Sequence, residues 1–386
     1  MTDQDYMRRA IALAKKGEGW CHPNPMVGAV IVKDGRIIGE GYHAKCGELH
    51  AERNAFASLK ESAEGATIYV TLEPCCHYGK QPPCVLAIIE HKIARVVIGS
   101  RDPNPKVSGK GAKQLREVGI QVEEDFLREE CDVLNPVFFH YITKNTPYVM
   151  MKYAMTADGK IATKTGASKW ITGEASRQKV QELRHACMGI MAGIGTVLAD
   201  DPMLNCRMEN GCSPIRIICD SSLRIPMDCQ IVKTAKEYES IVVCATKALP
   251  AGEITAETLT DLAGCDMSAG KSIVDKCRDL LAAGLQLINV PKTEGEGVDL
   301  KALMPILGAK KIDSILLEGG GTLNESAMAA EIVKEVRAFV APKIFGGQAK
   351  TPVEGEGVEE PSQATMMNLV DVEKIGDDLM ITYRLD

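Results

Sequence analysis

Apolar and polar residues alternate along the first third of the chain in patterns that predict both helices and strands. Apolar positions at helical spacing between Thr2 and Gly17 predict a first helix. Two strand-like segments then flank Asp34-Gly35, a dipeptide that favours a tight hairpin. Helical and strand patterns succeed each other from His50 to Glu124. A hairpin followed by β–α alternation predicts a mixed sheet that is covered by helices on both faces.

The alternation lapses over residues 128–147, where prolines bound an apolar patch, and we interpret this stretch as a connecting segment. A second α/β series follows it. Its helices are predicted in EASRQKVQELRH and NESAMAAEIVKE, whereas residues 249–284 are polar or helical and indicate little. Its strands are predicted in YVMMKYAM, MGIMAGI, IRIICD, SIVVCA, LQLINV, DSILLE, VRAFVAP and LMITYRL. The pattern therefore predicts two α/β domains, at residues 1–146 and 147–386.

Composition limits the partners that we expect. A net charge of −7 disfavours an extended nucleic-acid surface, and no apolar segment reaches the roughly 20 residues of a membrane span. The first residues are charged where an export signal would be apolar, so we expect a cytoplasmic protein. In such a reducing compartment most of the 14 cysteines serve as small core residues, and only a cluster suggests a function.

One such cluster lies in the segment TLEPCCHYGKQPPC at residues 71–84. Cys75 and Cys84 from this segment, with His50 from the earlier HAE sequence, could supply the three protein ligands of a catalytic zinc ion. Glu52 follows His50 closely and could take a proton from zinc-activated water and pass it to a leaving amine. Because Cys84 begins a predicted helix, we expect the helix N-terminus to favour its thiolate form.

Two neighbouring residues leave the ligand set open. Cys76 is expected to point away from the ion because adjacent side chains diverge, while His77 is either an alternative ligand or a residue near the substrate. With Cys76 or His77 as a fourth ligand, the site would be a structural one. Glu52 favours the catalytic interpretation, because a carboxylate beside a ligand has no structural duty but is what hydrolytic deamination requires.

The second half carries weaker local signals, each with an ordinary structural alternative. Three glycines in LLEGGGTLNESAM join a strand to a helix, where they allow an anion at the helix start or form a tight turn. Their spacing does not match the Rossmann fingerprint. Asp200 and Asp201 in GIGTVLADDPMLNCR are typical of solvated caps. Trp170 in SKWITG suits either stacking on a flat ring or ordinary packing.

Together these motifs resemble a known family. HAE followed by PC and a later cysteine is similar to the cytidine-deaminase superfamily of zinc deaminases, although eight residues separate Cys75 from Cys84 in place of the common PCxxC spacing. That longer spacing, with HPNPMVGAVIV upstream, resembles the deaminase half of the bifunctional deaminase–reductase family of riboflavin biosynthesis. The reductase half of this family is similar to dihydrofolate reductase in fold and uses NADPH. The segments of this chain that resemble the reductase half are MKYAMTADGKIAT, SKWITG, GIGTVLADDPMLNCR, CDSSLRIP, LLEGGGTLN and VAPKIFGG.

The resemblance implies site residues in both halves. In the first, a cytidine-deaminase-like α/β/α sandwich, the pyrimidine pocket would be lined by Asn24 and His43, with His77 and Lys80 nearby. In the second, the dinucleotide would contact Ala154, Trp170, Thr196, Asp200, Ser221, Gly320, Gly321, Thr322, Leu323, Asn324, Glu325 and Ser326. The reductase substrate would contact Ser168, Arg184, Leu204, Arg207 and Glu318, and the reacting carbon would be approached by Lys152. Two arginines in this set suit a phosphate, which arginine binds with forked, charge-assisted hydrogen bonds.

The family's chemistry implies two steps. Deamination of 2,5-diamino-6-(5-phosphoribosylamino)pyrimidin-4(3H)-one at the zinc site would precede NADPH-dependent reduction of 5-amino-6-(5-phosphoribosylamino)uracil to its ribityl product. The resemblance also implies a homo-oligomer. Two other hypotheses stay open. One is a nucleoside or nucleic-acid base deaminase whose second domain binds no NADPH, and the other is a zinc-stabilised scaffold in which Glu52→Gln changes no activity.

Overall fold

A computed structural model describes residues 1–79, 81–262, 271–293, 295 and 297–385. The chain divides into two compact units, Met1–Asn145 and Thr146–Asp386. Each unit has its own sheet, and each of the apolar clusters found in the described residues belongs to a single unit. Each unit therefore has a core of its own.

The first unit begins with a helix that is capped at the predicted residue. The Asp5 backbone N–H donates to the Thr2 hydroxyl, and the Thr2 backbone N–H donates to the Asp5 carboxylate, which is a capping box. In chain order the elements are α1 (Asp3–Ala14), β1 (Gly28–Lys33), β2 (Arg36–Tyr42), α2 (Ala51–Ala57), β3 (Thr67–Leu72), α3 (Cys84–Glu90), β4 (Arg95–Ser100), α4 (Lys110–Glu117), β5 (Gln121–Glu123), α5 (Arg128–Asp132) and α6 (Pro136–Lys144).

Within the described residues, the sheet of this unit has the order β2-β1-β3-β4-β5. β1 pairs antiparallel with β2 and with β3, whereas β3, β4 and β5 run parallel. The β1–β2 connection is the predicted hairpin, in which Asp34 and Gly35 have φ angles of 50° and 71°. Val30 and Ile31 are fully buried in different apolar clusters, so helices cover both faces of the sheet.

The second unit continues the α/β pattern. Its elements are β6 (Tyr148–Thr156), α7 (Glu174–Ala186), β7 (Gly189–Gly193), α8 (Ile194–Asp200), β8 (Ile215–Cys219), α9 (Gln230–Lys233), β9 (Ser240–Cys244), β10 (Gly252–Ile254), α10 (Ala256–Leu262), α11 (Lys271–Ala283), β11 (Gln286–Asn289), α12 (Leu300–Ala309), β12 (Ser314–Leu317), α13 (Gly321–Ala329), β13 (Val333–Ala341), β14 (Asn368–Ile375) and β15 (Asp378–Arg384).

The described strands of this unit form one sheet in the order β10-β11-β9-β8-β7-β12-β6-β13-β15-β14. The strands from β11 to β13 are parallel, and antiparallel strands flank them at both edges. Consecutive residues Ile190 and Met191 are both fully buried, in different clusters, as expected for a parallel strand with both faces covered. The loops after β7, β8 and β12 leave the same edge of this sheet, where α/β proteins bind ligands.

Three local predictions were wrong or incomplete. Residues 128–144 contain α5 and α6, where a connecting segment was expected. The helix expected at residues 324–335 is α13, which begins at Gly321 and ends at Ala329, because Val333 already starts β13. The pattern also does not predict β10 or β14. Of the uninformative stretch 249–284, the described part forms β10, α10 and α11, while residues 263–270 lie outside the described residues.

No described helix combines the length and the apolar character that crossing a membrane requires.

Candidate active sites

The first candidate site brings together three residues from separate elements. His50 is the N-cap residue of α2, Cys84 is the first residue of α3, and Cys75 follows β3. The Sγ atoms of Cys75 and Cys84 lie 3.5 and 3.4 Å from His50 Nδ1. In the described part of the chain, these three form the only group of potential metal ligands, with their ligand atoms within 4.8 Å of one another.

This donor set fits zinc. One imidazole nitrogen and two sulfurs are ligands that zinc prefers, and three protein ligands leave one position for water. Cys76 Sγ instead lies 3.7 Å from the Lys106 carbonyl oxygen. Neither Cys76 nor His77 belongs to the ligand group, so no fourth protein ligand from the described residues completes a structural site.

The two ligand thiols influence each other. Contact with the Cys84 thiol lowers the pKa of Cys75 despite its burial, and the His50 ring adds to this effect. The Cys84 backbone N–H also donates to Cys75 Sγ at 3.3 Å. The same thiol contact, together with burial, raises the pKa of Cys84. The Cys84 backbone N–H thus stabilises the Cys75 thiolate, and the expected thiolate form of Cys84 stays a prediction.

Glu52 is buried beside these ligands, with 3% of its surface exposed. Burial raises the pKa of its carboxyl, and the negative charge of Cys75 raises it further. Its carboxylate also contacts the Cys84 thiol. A buried carboxyl with a raised pKa next to the position of a reactive water is suited to accept and release a proton.

Asn24 and His43 form a connected pair on one side of the ligand group. His43 Nδ1 lies 3.0 Å from the Leu49 carbonyl oxygen, and His43 Nε2 lies 3.1 Å from the Asn24 amide nitrogen. Because a carbonyl oxygen only accepts hydrogen bonds, His43 Nδ1 carries the proton and His43 Nε2 accepts from the Asn24 amide. The His43 ring is therefore neutral. Burial lowers the pKa of His43, in agreement with this state. The His43 and His50 rings meet edge-on, with centroids 5.4 Å apart.

The other two predicted deaminase substrate residues are less defined. His77 Nδ1 is buried, and among the described residues it has no hydrogen-bond partner. Such a nitrogen is available to a ligand, although it lies outside the metal-ligand group. Lys80 lies outside the described residues.

Sequence reasoning missed two buried acids near this site. Glu73 accepts hydrogen bonds from the backbone N–H groups of Gly109, Gly111 and Ala112 at 2.9, 3.1 and 3.3 Å, so it fixes the start of α4. Burial raises the pKa of Asp102 to about 6, and the charges of Glu73 and Cys75 contribute. Their positions after predicted strands could have indicated both acids, since they follow the carboxyl ends of the neighbouring parallel strands β3 and β4.

The second candidate site is a cleft in the second unit that consists of two cavities. We call them cavity A, of about 420 Å³, and cavity B, of about 520 Å³. They form one continuous cleft, because the lining residues that they share are Ile161, Ser168, Thr196, Asp200 and Gly320.

The cleft collects nearly all of the predicted reductase residues. Cavity A is lined by the predicted cofactor contacts Thr196, Asp200, Ser221, Gly320, Gly321, Thr322, Leu323 and Ser326. Cavity B is lined by the cofactor contacts Ala154, Trp170 and Asn324 and by the substrate contacts Lys152, Ser168, Arg184, Leu204, Arg207 and Glu318. Glu325 lines neither cavity, and its side chain packs against Gly355 instead. A cofactor contact at Glu325 therefore stays a prediction.

The glycine turn between β12 and α13 lets a ligand approach the backbone. A Cβ added at Gly320 would meet only the Thr196 hydroxyl, at 3.9 Å, and one added at Gly195 would meet nothing within 4 Å. Gly321 is required for packing instead, since an added Cβ would lie 2.8 Å from the Thr351 carbonyl oxygen. The open space over Gly195 and Gly320 fits an elongated ligand such as a dinucleotide.

Glu318 lies among three cations in cavity B. Arg184 Nε and Nη2 donate to its two carboxylate oxygens at 2.7 and 3.0 Å, and Lys152 Nζ lies 3.9 Å from Oε2. Burial favours a raised pKa for Glu318, but the charges of Arg184 and Lys152 prevail and lower it to about 2, with a further contribution from Arg207. The lining of cavity B includes four basic residues and three acidic ones, which leaves a small excess of positive charge that suits a phosphorylated ligand.

Trp170 is a surface residue, with 62% of it exposed. The Arg177 guanidinium lies over its ring, 4.7 Å from the centroid. An exposed indole at the edge of cavity B favours the stacking interpretation over ordinary core packing.

Comparison with known protein families gives one match in each half of the chain. Residues 1–100 match the model of the cytidine and deoxycytidylate deaminase zinc-binding region. Residues 147–381 match the model of the RibD C-terminal domain. The first match contains the three ligands and Glu52, and the second contains both cavities.

Comparison with individual proteins extends over the full chain. The riboflavin biosynthesis protein RibD of Actinobacillus pleuropneumoniae is 52% identical over 99% of this chain and 95% of its own length. That of Escherichia coli is 36% identical over 99% of both chains. Among solved structures, the diaminohydroxyphosphoribosylaminopyrimidine deaminase/5-amino-6-(5-phosphoribosylamino)uracil reductase of Thermotoga maritima is 35% identical and has a TM-score of 0.82 over 99% of this chain and 98% of its own. A RibD structure from Acinetobacter baumannii is 34% identical, with a TM-score of 0.83 over the same fractions.

Proposed function

Because the chain belongs to the RibD family of bifunctional riboflavin-biosynthesis enzymes, we propose that its two candidate sites carry the two activities of that family. The chain is a zinc-dependent deaminase and an NADPH-dependent reductase. The predicted fold class is correct as well, with a cytidine-deaminase-like first domain and a RibD reductase second domain. The boundary that we propose, between residues 146 and 147, lies next to the division at Asn145.

The first site accounts for deamination of the diaminopyrimidine ribonucleotide. His50, Cys75 and Cys84 would hold zinc, which supplies an activated water when it is bound. Glu52 receives a proton from that water and delivers it to the departing amine, so that a carbonyl replaces the C–N bond and ammonia leaves. Asn24 and the neutral His43 orient the pyrimidine, and His77 and Lys80 contribute to its pocket.

The second site accounts for reduction of the ribosylamino group. NADPH in the cleft would supply a hydride to C1 of the ring-opened substrate. Arg184 and Arg207 bind the substrate phosphate, while Lys152 approaches the reacting carbon. Glu318 holds Arg184 and Lys152 in position, because their charges converge on its carboxylate. The lining of the cleft aligns the two reactants.

The observation that carries the proposal is the ligand group of the first unit with the buried Glu52 against it. A zinc-stabilised scaffold has no need of a buried carboxylate beside its ligands. A base deaminase with an inactive second domain has no need of a cleft that collects the predicted reductase residues. Both alternatives therefore explain less of the chain.

Metal analysis and two separate assays on one preparation test the proposal. Glu52→Ala should abolish ammonia release from the diaminopyrimidine ribonucleotide, because no other buried carboxylate contacts the ligand thiols among the described residues. NADPH oxidation should continue when the deaminated intermediate is supplied directly. Arg207→Ala should leave ammonia release unchanged and impair reduction. We expect its KM for the reductase substrate to rise roughly 10- to 100-fold, the effect of losing a charge-assisted phosphate contact.

Glu52→Gln is the matched control, since it keeps the shape of the side chain and removes its proton transfer. It should retain zinc and lose deamination. Chelator-insensitive ammonia release would remove zinc from the mechanism, and unchanged deamination by Glu52→Gln would remove Glu52 from proton transfer. The absence of ammonia release from the zinc-loaded wild type would support the scaffold hypothesis. The absence of NADPH oxidation at saturating intermediate would leave the second unit without its assigned chemistry.

We also propose the binding partners, the cellular location and the oligomeric state of the protein. Small pyrimidine ribonucleotides, and not nucleic acids, are its partners, in keeping with the net charge of −7. A cytoplasmic location suits the 13 described free cysteines. A homo-oligomer is supported by the exposed apolar residues Leu369, Val370 and Val372 on β14, which size measurement by light scattering would test.

A further inference from the structure

The loop between α8 and β8 presents one cation, Arg207, to cavity B. Leu204, Asn205 and Cys206 are buried in succession, whereas Arg207, the next residue, is exposed and lines the cavity. Within the described residues, neither an ion pair nor a hydrogen bond engages the Arg207 guanidinium. The position of this group in the cavity therefore depends on the backbone from which it projects.

Three consecutive residues of this loop are held by α7. Arg184 Nη1 donates to the Asn205 carbonyl oxygen at 3.0 Å, and the Cys206 thiol lies 3.6 Å from the Gln181 carbonyl oxygen. The Arg207 backbone N–H donates to Gln181 Oε1 at 2.9 Å. Gln181 and Arg184 are three residues apart, so their side chains reach the loop from one face of the helix.

The later part of the loop is held by the same helix. The Cys212 backbone N–H donates to His185 Nδ1 at 2.9 Å, and the Cys206 backbone N–H donates to the Ser213 hydroxyl at 3.2 Å. A Cβ added at Gly211 would lie 2.6 Å from Cys206 Sγ, so the two ends of the loop pack directly on each other. The loop therefore has a defined shape around Arg207.

The supporting helix is itself anchored to the sheet. The buried Asp378 carboxylate accepts hydrogen bonds from the Gly173 N–H at 2.7 Å and from the Ser176 hydroxyl at 2.6 Å, at the start of α7. Farther along, Leu183 packs in an apolar cluster with Phe339 of β13. These contacts make α7 a fixed support for the loop.

Gln181 makes the contact that lies closest to the projecting cation. Its side chain is 8% exposed and lines neither cavity A nor cavity B. Because a backbone N–H only donates, the amide oxygen of Gln181 must face Arg207. A buried N–H without an acceptor is costly, so loss of this oxygen would displace the Arg207 backbone. The Cys206 thiol contacts the Gln181 backbone, which a substitution leaves in place.

We propose that Gln181 is a positioning residue of the reductase site, which directs the Arg207 guanidinium towards the phosphate of the substrate. This inference rests on the proposed function, because it takes Arg207 to bind that phosphate. Gln181 touches neither reactant, so it leaves hydride transfer itself unaffected. It sets the affinity for a substrate only when that substrate carries the phosphate.

Steady-state reduction by the full-length, zinc-loaded protein tests this role, with the deaminated intermediate and its dephosphorylated form as substrates. Gln181→Met keeps the length of the side chain and removes the acceptor. It should raise the KM for the phosphorylated intermediate roughly 5- to 30-fold, the effect of leaving a buried donor unpaired. The kcat, the KM for the dephosphorylated form and the Kd of NADP⁺ should stay within about twofold of the wild-type values.

Three further variants show whether the effect passes through Arg207. In an Arg207→Ala background, Gln181→Met should raise the KM by less than about twofold, since no guanidinium is left to position. Gln178→Met is the matched control, because Gln178 is an exposed residue of the same helix, and it should change neither KM. Gln181→Glu keeps an acceptor at the same length and should recover part of the lost affinity.

The outcomes separate the inference from the proposed function. Equal rises of both KM values in Gln181→Met would show a general structural role and overturn the inference. Unchanged KM values in Gln181→Met, with a raised KM in Arg207→Ala, would also overturn it and leave the role of Arg207 standing. An unchanged KM in Arg207→Ala would overturn the proposed phosphate contact and the inference with it. If Gln181→Met does not fold, Gln181→Asn, which is one methylene shorter, takes its place under the same criteria.

Discussion

At the scale of single residues, the two sites hold buried carboxylates in opposite electrostatic settings. Burial dominates at Glu52, and its pKa is raised. Two cations dominate at Glu318, and its pKa is lowered to about 2. The raised pKa suits the first carboxyl to proton transfer, while the second stays charged and positions Arg184 and Lys152. The same functional group serves proton transfer in one unit and charge placement in the other.

The lowered pKa of Glu318 predicts a specific loss of stability in acid. The ordinary pKa is 4.5 and the folded value about 2, so the contribution is complete above 4.5 and is lost as the pH falls through 2. Between pH 5 and pH 3 the wild type should lose roughly 2 kcal/mol more unfolding free energy than Glu318→Gln. Urea unfolding followed by circular dichroism at both pH values measures the difference.

Glu257→Gln is the control for this experiment, because it removes an exposed carboxylate of α10 in the same unit. It should lose as much stability as the wild type over the same pH range. Equal losses in Glu318→Gln and the wild type would show that Arg184 and Lys152 do not stabilise the charge of Glu318.

The residues that the sequence predicted well are those that stand in contiguous motifs. His50 and Glu52 are two positions apart, and Cys75 and Cys84 share one segment, so their chemistry is visible locally. Asp102 stands alone in the sequence and gains its meaning from neighbouring strands that only the fold brings together. Glu325 shows the converse case, because a motif does not indicate which way a helix directs a side chain, and Glu325 packs against Gly355.

At the scale of elements, the first site depends on how closely α2 packs on β2. A Cβ added at Gly41 would lie 2.3 Å from the Ala55 backbone nitrogen and 2.4 Å from the Ala51 carbonyl oxygen. The helix can therefore rest on the strand only where the strand has no side chain. Since α2 carries Glu52 and is capped by His50, this contact sets the depth at which both residues lie.

Gly41→Ala should therefore damage both stability and metal binding. Overpacking of this kind costs roughly 1–3 kcal/mol, and the displaced helix would move His50 away from the two thiols. The measurements are the unfolding free energy and the zinc content after dialysis against a weak chelator. Gly79→Ala is the control, because an added Cβ meets nothing within 4 Å there. Full zinc retention by Gly41→Ala would mean that β2 does not set the position of α2.

The elements that the sequence failed to predict have identifiable physical causes. Pro136 suggested a break, yet it is the first residue of α6, where its missing N–H has no intrahelical partner to lose. β14 is exposed along nearly its whole length, so no burial on one face imposes the alternation that reveals a strand. The segment around Val333 is apolar at spacings that fit a helix or a strand, and its pairing with β6 decides for the strand.

At the scale of the whole molecule, the two activities draw on separate cores. Each sheet and each apolar cluster described here belongs to one unit. The residues that form each candidate site also come from a single unit. Zinc and NADP⁺ are thus expected to stabilise different parts of the chain. Ligand binding stabilises the folded state by about 2.7 kcal/mol at a free concentration of 100 Kd, which slows exchange of the affected amide hydrogens by up to about 100-fold.

Hydrogen exchange followed by mass spectrometry makes this separation measurable. NADP⁺ should slow exchange in α8 and α13, which border the cleft, and leave α2 and α3 unchanged. Removal of zinc by a chelator should speed exchange in α2 and α3, because their first turns present His50 and Cys84, and leave α8 and α13 unchanged. Protection by NADP⁺ that extended to α2 would contradict independent cores and would make the state of one site depend on the ligand of the other.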